Sequence, residues 1–116
     1  MLTLTGCKDD LTTSKEQDEQ KLRALYQEIE TLAGQFTCEN ANEWTFVSLG
    51  AKGCGGSIGY IAYSTKINEN DFLKKVNAYT DQQKVYNIKW NIMSDCLLVA
   101  EPKGVECNNG KPKFVY

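Results

Sequence analysis

The sequence predicts an α+β fold: a small antiparallel sheet with two helices on one face, in the order α-β-β-α-β-β, held by two disulfides. Two stretches place apolar residues at helical spacing, and four short stretches rich in β-branched and aromatic residues lie between turn signals. Four cysteines remain once the N-terminal one is set aside, an even number suited to pairing. The chain has 116 residues, which predicts a single domain. That domain is read as residues 14–116, after a signal-peptide remnant at 1–7 and a tether at 8–13.

The first helix opens on Ser14-Lys15-Glu16-Gln17, the pattern of a capping box in which Ser14 and Gln17 exchange backbone hydrogen bonds. Leu22, Leu25, Tyr26, Ile29, Leu32 and Ala33 then recur on one face, and Gly34 supplies the stop. A helix over Lys15–Ala33 follows, with its charged face in solvent. Trp44–Leu49 reads as a strand, bounded by Asn42 and Gly50. Residues 50–59 carry five glycines and read as a loop, and residues 60–64 as a second strand pairing across it.

Asn68 caps a second helix, with Ile67 and Phe72 placed to form a hydrophobic staple. Beyond it Tyr86, Ile88, Trp90 and Ile92 fit strand alternation as well as helix. The helix is carried over Glu69–Lys89 because residues 81–84 hold no strong turn signal. Residues 96–100 (Cys-Leu-Leu-Val-Ala) read as a strand. Pro102, Gly104 and Asn109-Gly110 then mark turns, and residues 113–116 read as the last strand.

Cys38, Cys54, Cys96 and Cys107 contain no Cys-x-x-Cys, so neither a zinc ribbon nor a thioredoxin-like motif is expected. Two disulfides are, and three pairings are possible. Cys54 with Cys96 and Cys38 with Cys107 is favoured, because the second ties the end of the first helix to the C-terminal hairpin.

Composition removes several functions. Fifteen acids and 13 bases give a formal charge of -2, unlike the basic surface of a nucleic-acid binder. There is no histidine, which excludes Ser-His-Asp and Cys-His catalysis and every imidazole metal site. No apolar stretch is long enough to span a bilayer.

Leu4-Thr5-Gly6-Cys7 resembles the lipobox of bacterial lipoproteins, with Cys7 as the residue that becomes lipidated. Upstream, only Met1 to Thr3 stand where a signal peptide needs a basic segment and a longer apolar run. Lys8-Asp9-Asp10 resembles the export signal of surface lipoproteins in Bacteroidota. Acyl chains on Cys7 would anchor the domain to a membrane.

Trp44, Cys54-Gly55-Gly56, Tyr60, Tyr63, Ser94-Asp95-Cys96, Pro102, Val105 and Cys107 together resemble a group of small secreted or lipid-anchored proteins of Bacteroidota. The resemblance spans most of the chain from Cys38 onward. It implies a constant fold and disulfide pairing, and it brings no activity and no catalytic residue.

The remaining motifs are read structurally. Gly53-Cys54-Gly55-Gly56 lacks the spacing of a phosphate-binding loop and instead fits a sharp turn with close backbone approach at a disulfide. Ser94 beside Asp95 would need a lysine base in the absence of histidine, and nothing in the sequence places Lys52, Lys74 or Lys89 there. Trp44, Tyr60 and Phe72 are assigned to the core. Glu101, Pro102, Lys103, Gly104 and Val105 form a proline-stiffened segment between two cysteines, a candidate binding loop of the kind a protease inhibitor presents.

The expected function is therefore non-enzymatic. The chain reads as an outer-membrane lipoprotein of the cell envelope, exposed at the surface, whose disulfide-stapled domain binds a protein such as a secreted protease. It is expected to need no cofactor, metal or nucleic acid. A structural or assembly accessory of an envelope complex is the alternative, and a small hydrolase ranks below both.

Overall fold

The computed structural model describes residues 13–116. The lipobox with Cys7 and residues 8–12 lie outside the described residues. The elements are α1 (Lys15–Ala33), a short 3-10 turn (Ala41–Glu43), β1 (Trp44–Leu49), β2 (Gly59–Ser64), α2 (Glu69–Lys89), β3 (Gly104–Asn108) and β4 (Lys111–Val115). The class is α+β and the order α-β-β-α-β-β, as expected.

Both helices start on the caps their sequences provide. The Gln17 amide donates to Ser14 Oγ at 3.1 Å, and the Ser14 amide donates to Gln17 Oε1 at 2.8 Å. The Asp71 amide donates to Asn68 Oδ1 at 3.2 Å, with the staple residues Ile67 and Phe72 both buried. α2 ends because Asn91 turns into the left-handed region at φ 51°. The Asn91 and Ile92 amides then donate back to the carbonyls of Ile88 and Asn87, satisfying the last turn.

The helices lie antiparallel, and polar contacts mark their register. Lys89 Nζ meets Asp18 Oδ2 at 2.9 Å, Tyr86 meets Glu19 at 2.6 Å, and Lys75 meets Glu28 at 2.9 Å. Both helices pack on the β1–β2 hairpin, in which Trp44 pairs with Ser64 and Leu49 with Gly59. Ile29, Phe72 and Val76 at the centre are at most 2 % exposed, and Leu22, Leu49, Tyr63 and Tyr79 complete the core. Each fully buried side chain of this size contributes about 1.5–3 kcal/mol.

Three expectations are corrected. The strands form two separate two-stranded sheets, β1-β2 and β3-β4, rather than one. The second hairpin lies beside the first, with Phe114 edge-on to Phe46 at 6.0 Å. The third strand is Gly104–Asn108, and residues 96–100 form no strand. Leu97 and Leu98 there are 74 % and 93 % exposed, and their segment pairs with neither sheet. Asn109-Gly110 makes the expected tight turn, both residues at positive φ, so that β3 and β4 extend to meet it. Trp44 and Phe72 are in the core, whereas Tyr60 is only half-buried.

Candidate functional site

The cysteines separate into two pairs. Cys38 and Cys107 are joined in a disulfide, the pairing favoured from sequence. Cys38 is 2 % exposed, and its amide donates to the Gly110 carbonyl at 2.8 Å, so the bridge fastens the segment after α1 to the β3–β4 turn. Cys54 and Cys96 are exposed free thiols in direct contact, their sulfurs 2.5 Å apart.

The loop between β1 and β2 positions that second pair. Gly50 leaves β1 at φ 79°, a conformation that favours glycine, and its amide donates to Thr80 Oγ1 on α2. The Ala51 amide donates to Gln83 Oε1, and Asn87 Nδ2 donates to the Ala51 carbonyl. Thr80, Gln83 and Asn87 lie on one face of α2 and hold the loop base. Gly53 then meets the Ile92 carbonyl so closely that a Cβ would collide with it. The close backbone approach read from the glycine run is present, but Cys54 beside it is a free thiol and not half of the expected disulfide.

Lys52 clamps the facing segment. Its ammonium meets Asp95 Oδ1 and the Leu97 carbonyl, each at 2.7 Å. Asp95 also accepts from the Leu97 amide at 3.1 Å. The Cys54 sulfur lies 3.2 Å from the Asp95 carbonyl oxygen and 3.6 Å from Ser94 Oγ. Hydrogen bonds from the Cys96 thiol and then from Ser94, with the Lys52 charge nearby, hold the Cys54 thiol below the ordinary range. The same contact with Cys54 pushes the Cys96 thiol up. Lys52, Ser94 and Asp95 are thus brought to one place that spacing alone did not reveal. Lys52 spends its charge on Asp95 and a backbone carbonyl, not on the Ser94 hydroxyl.

A second feature lies between the helices and the first hairpin. It is an open groove of about 400 Å³ bordered by Glu19, Arg23, Tyr26, Tyr79, Gln83 and Tyr86. Helical spacing places Glu19, Arg23 and Tyr26 on α1 opposite Tyr79, Gln83 and Tyr86 on α2. The Tyr26 and Tyr79 rings are tilted together with centroids 5.6 Å apart. Burial first, and then its bond to Glu19, push the Tyr86 hydroxyl up to about 12, so it remains a neutral donor at physiological pH. Arg23 is exposed and makes no hydrogen bond or ion pair among the described residues. The sequence placed Tyr26 on the apolar face of α1 and singled out no groove. What reveals the groove is the gap between antiparallel helices, which no periodicity encodes.

The candidate loop Glu101–Val105 divides between settings. Glu101 and Lys103 are exposed and Pro102 is buried. Gly104 and Val105 belong to β3, paired with Val115 and Phe114. The Lys103 amide donates to the Val115 carbonyl at 2.7 Å, which draws the segment onto the hairpin. Among the described residues, no group of three or more cysteines and carboxylates is arranged to hold a metal ion, and no helix is long and apolar enough to cross a membrane.

No family profile, curated protein or solved structure matches this chain.

Proposed function

We propose that this chain is a non-enzymatic binding module, carried on the cell envelope by lipid on Cys7, and that the groove between α1 and α2 is its ligand site. The observation that carries the reading is the pairing of tyrosine rings with an unengaged guanidinium at one opening. Tyrosine offers a flat apolar face with a polar tip, at little conformational cost. Arg23 adds a planar fork of donors that matches a carboxylate. A small ligand with an apolar ring face and an acidic group, as in an acidic saccharide, fits both.

The groove is favoured over the Glu101–Val105 segment because two residues of that segment are already paired with β4. A bound inhibitor loop needs its backbone free to meet a protease.

The test is a titration of the full chain with uronic-acid oligosaccharides and their neutral counterparts, followed by amide chemical-shift mapping. Shifts clustered at Arg23, Tyr26 and Gln83, lost in Arg23→Ala and weaker with the neutral sugars, are the expected result. Shifts at Lys103 with a protease, and none at the groove, would transfer the assignment to the inhibitor reading. Incorporation of labelled fatty acid that disappears in Cys7→Ser tests the anchor separately.

A further inference from the structure

We infer that Cys54 and Cys96, oxidised by an external disulfide that leaves as two thiols, form a second, solvent-facing disulfide that exchanges with external thiols while the Cys38–Cys107 bridge persists. Four observations support this. The two sulfurs already meet, and both residues are exposed, whereas Cys38 is 2 % exposed behind the β3–β4 turn. Thiol–disulfide exchange needs an attacking thiolate in line with a sulfur, so access separates the two pairs. The attacked sulfur belongs to an exposed residue, Cys96, and beyond its partner a side chain added at Gly55 or Gly56 would meet nothing within 4 Å. Ser94 Oγ lies 3.6 Å from the Cys54 sulfur and can donate to it as a departing thiolate.

The chemistry balances with a thiol as the co-reactant. An external thiolate attacks Cys96 Sγ, the Cys54–Cys96 bond breaks, and Cys54 leaves as the thiolate beside the Ser94 hydroxyl. A second thiolate then attacks the external sulfur of the mixed disulfide. Cys96 is released as a thiol after taking a proton from water, and the external thiol leaves oxidised as its own disulfide. The lower-pKa partner is the faster leaving group, which places the mixed disulfide on Cys96.

The exchange bears on residues 91–103, which form no helix or strand. Besides the cysteines, the loop holds this segment through Lys52, bound to Asp95 and Leu97. Opening the bridge leaves Lys52 as its main tether to the loop, with Met93, Leu97 and Leu98 already exposed.

The experiment uses the full chain, recovered from an oxidising compartment and exposed to graded dithiothreitol, then alkylated and mapped by peptide mass. The expected result is no label on these four cysteines without reductant. Labels then appear on Cys54 and Cys96 alone, at concentrations about tenfold or more below those that open Cys38–Cys107. With glutathione in place of dithiothreitol, the trapped adduct is expected on Cys96. Labelling of Cys54 and Cys96 before any reductant, opening of both bridges together, or opening of Cys38–Cys107 first would overturn the inference. A Cys54→Ser/Cys96→Ser variant is expected to keep its near-ultraviolet circular dichroism and its Cys38–Cys107 bridge. Loss of the fold in that variant would make the second pair structural and count against exchange.

Discussion

Asn87 on α2 donates from Nδ2 to the Ala51 carbonyl at 2.9 Å, joining residues 36 positions apart inside the protein. Both are buried, so water cannot replace the bond if it is lost. Asn87→Ala should cost about 1–3 kcal/mol, the penalty for leaving a buried acceptor unsatisfied. Urea unfolding checks this, and a change below a few tenths of a kcal/mol would mean that the loop base can relax toward solvent. Because Asn87 also anchors the loop carrying Cys54, the variant should raise alkylation at Cys54 in the reduced protein.

The asparagine shows what was legible in the sequence and what was not. Caps, staples and the Asn109-Gly110 turn are local devices, so they could be read residue by residue, and the structure contains them. The Cys38–Cys107 bridge was legible because the pairing had a geometric purpose. The strand proposed at 96–100 was not, because hydrophobic content alone cannot tell whether a partner edge exists. Lys52 with Asp95 was not legible either, since their contact spans 43 positions and depends on where α2 ends. Ile88 shows the ambiguity plainly: its alternation with Tyr86 and Trp90 suggested a strand, yet it is 82 % exposed on a helix. The groove depends on helix spacing, so the sequence singled out Tyr26 and Tyr86 on its border but not the opening itself.

Asp18 makes a pH-dependent tie between the helix ends. Its carboxylate accepts from the Thr13 hydroxyl at 2.6 Å, Lys89 at 2.9 Å and the Trp90 indole at 2.9 Å. These bonds, Thr13 first, lower its pKa to about 2. In an unfolded chain an aspartate titrates near ~3.9, so as pH falls the unfolded state takes up the proton first. The stabilisation is therefore complete above about pH 4 and lost as pH falls through the folded value. Melting temperatures measured across that window should fall more steeply for the wild type than for Asp18→Asn. Parallel curves would remove Asp18 as the cause.

The buried bridge closes a long loop, Cys38 and Cys107 being 69 positions apart. Replacing both with alanine should cost about 2–5 kcal/mol, chiefly by freeing the unfolded chain. Thermal unfolding of the double variant against the wild type under non-reducing conditions measures it. Since the β3–β4 hairpin meets the rest of the domain through Cys38, Phe46 and their neighbours, its amides should lose hydrogen-exchange protection before those of α1 and α2. Uniform loss of protection would show that the hairpin unfolds with the core.

Phe72 tests whether the staple and the core are the same feature. It is 0 % exposed, meets the Tyr63 ring at a tilt with centroids 4.5 Å apart, and sits one turn into α2. Phe72→Ala should cost about 3–5 kcal/mol through lost burial and the cavity left behind. Phe72→Leu keeps most of the volume and should cost much less.

Gly53 offers the sharpest perturbation of the exposed cysteines without altering either sulfur. Its missing side chain lets the loop backbone reach the Ile92 carbonyl, and any Cβ there would collide with that oxygen. The backbone cannot swing away as a flexible side chain would, so Gly53→Ala must push residues 91–96 off the glycine loop. The core lies elsewhere, under Phe72, Ile29 and Val76, and global stability should change little. The Cys54–Cys96 bridge should then form more slowly on air oxidation, and reduced Cys96 should alkylate faster, while Cys38–Cys107 forms as in the wild type. Equal oxidation rates in Gly53→Ala and wild type would mean that the two loops meet through the cysteines and Lys52 alone, with no contribution from the backbone approach.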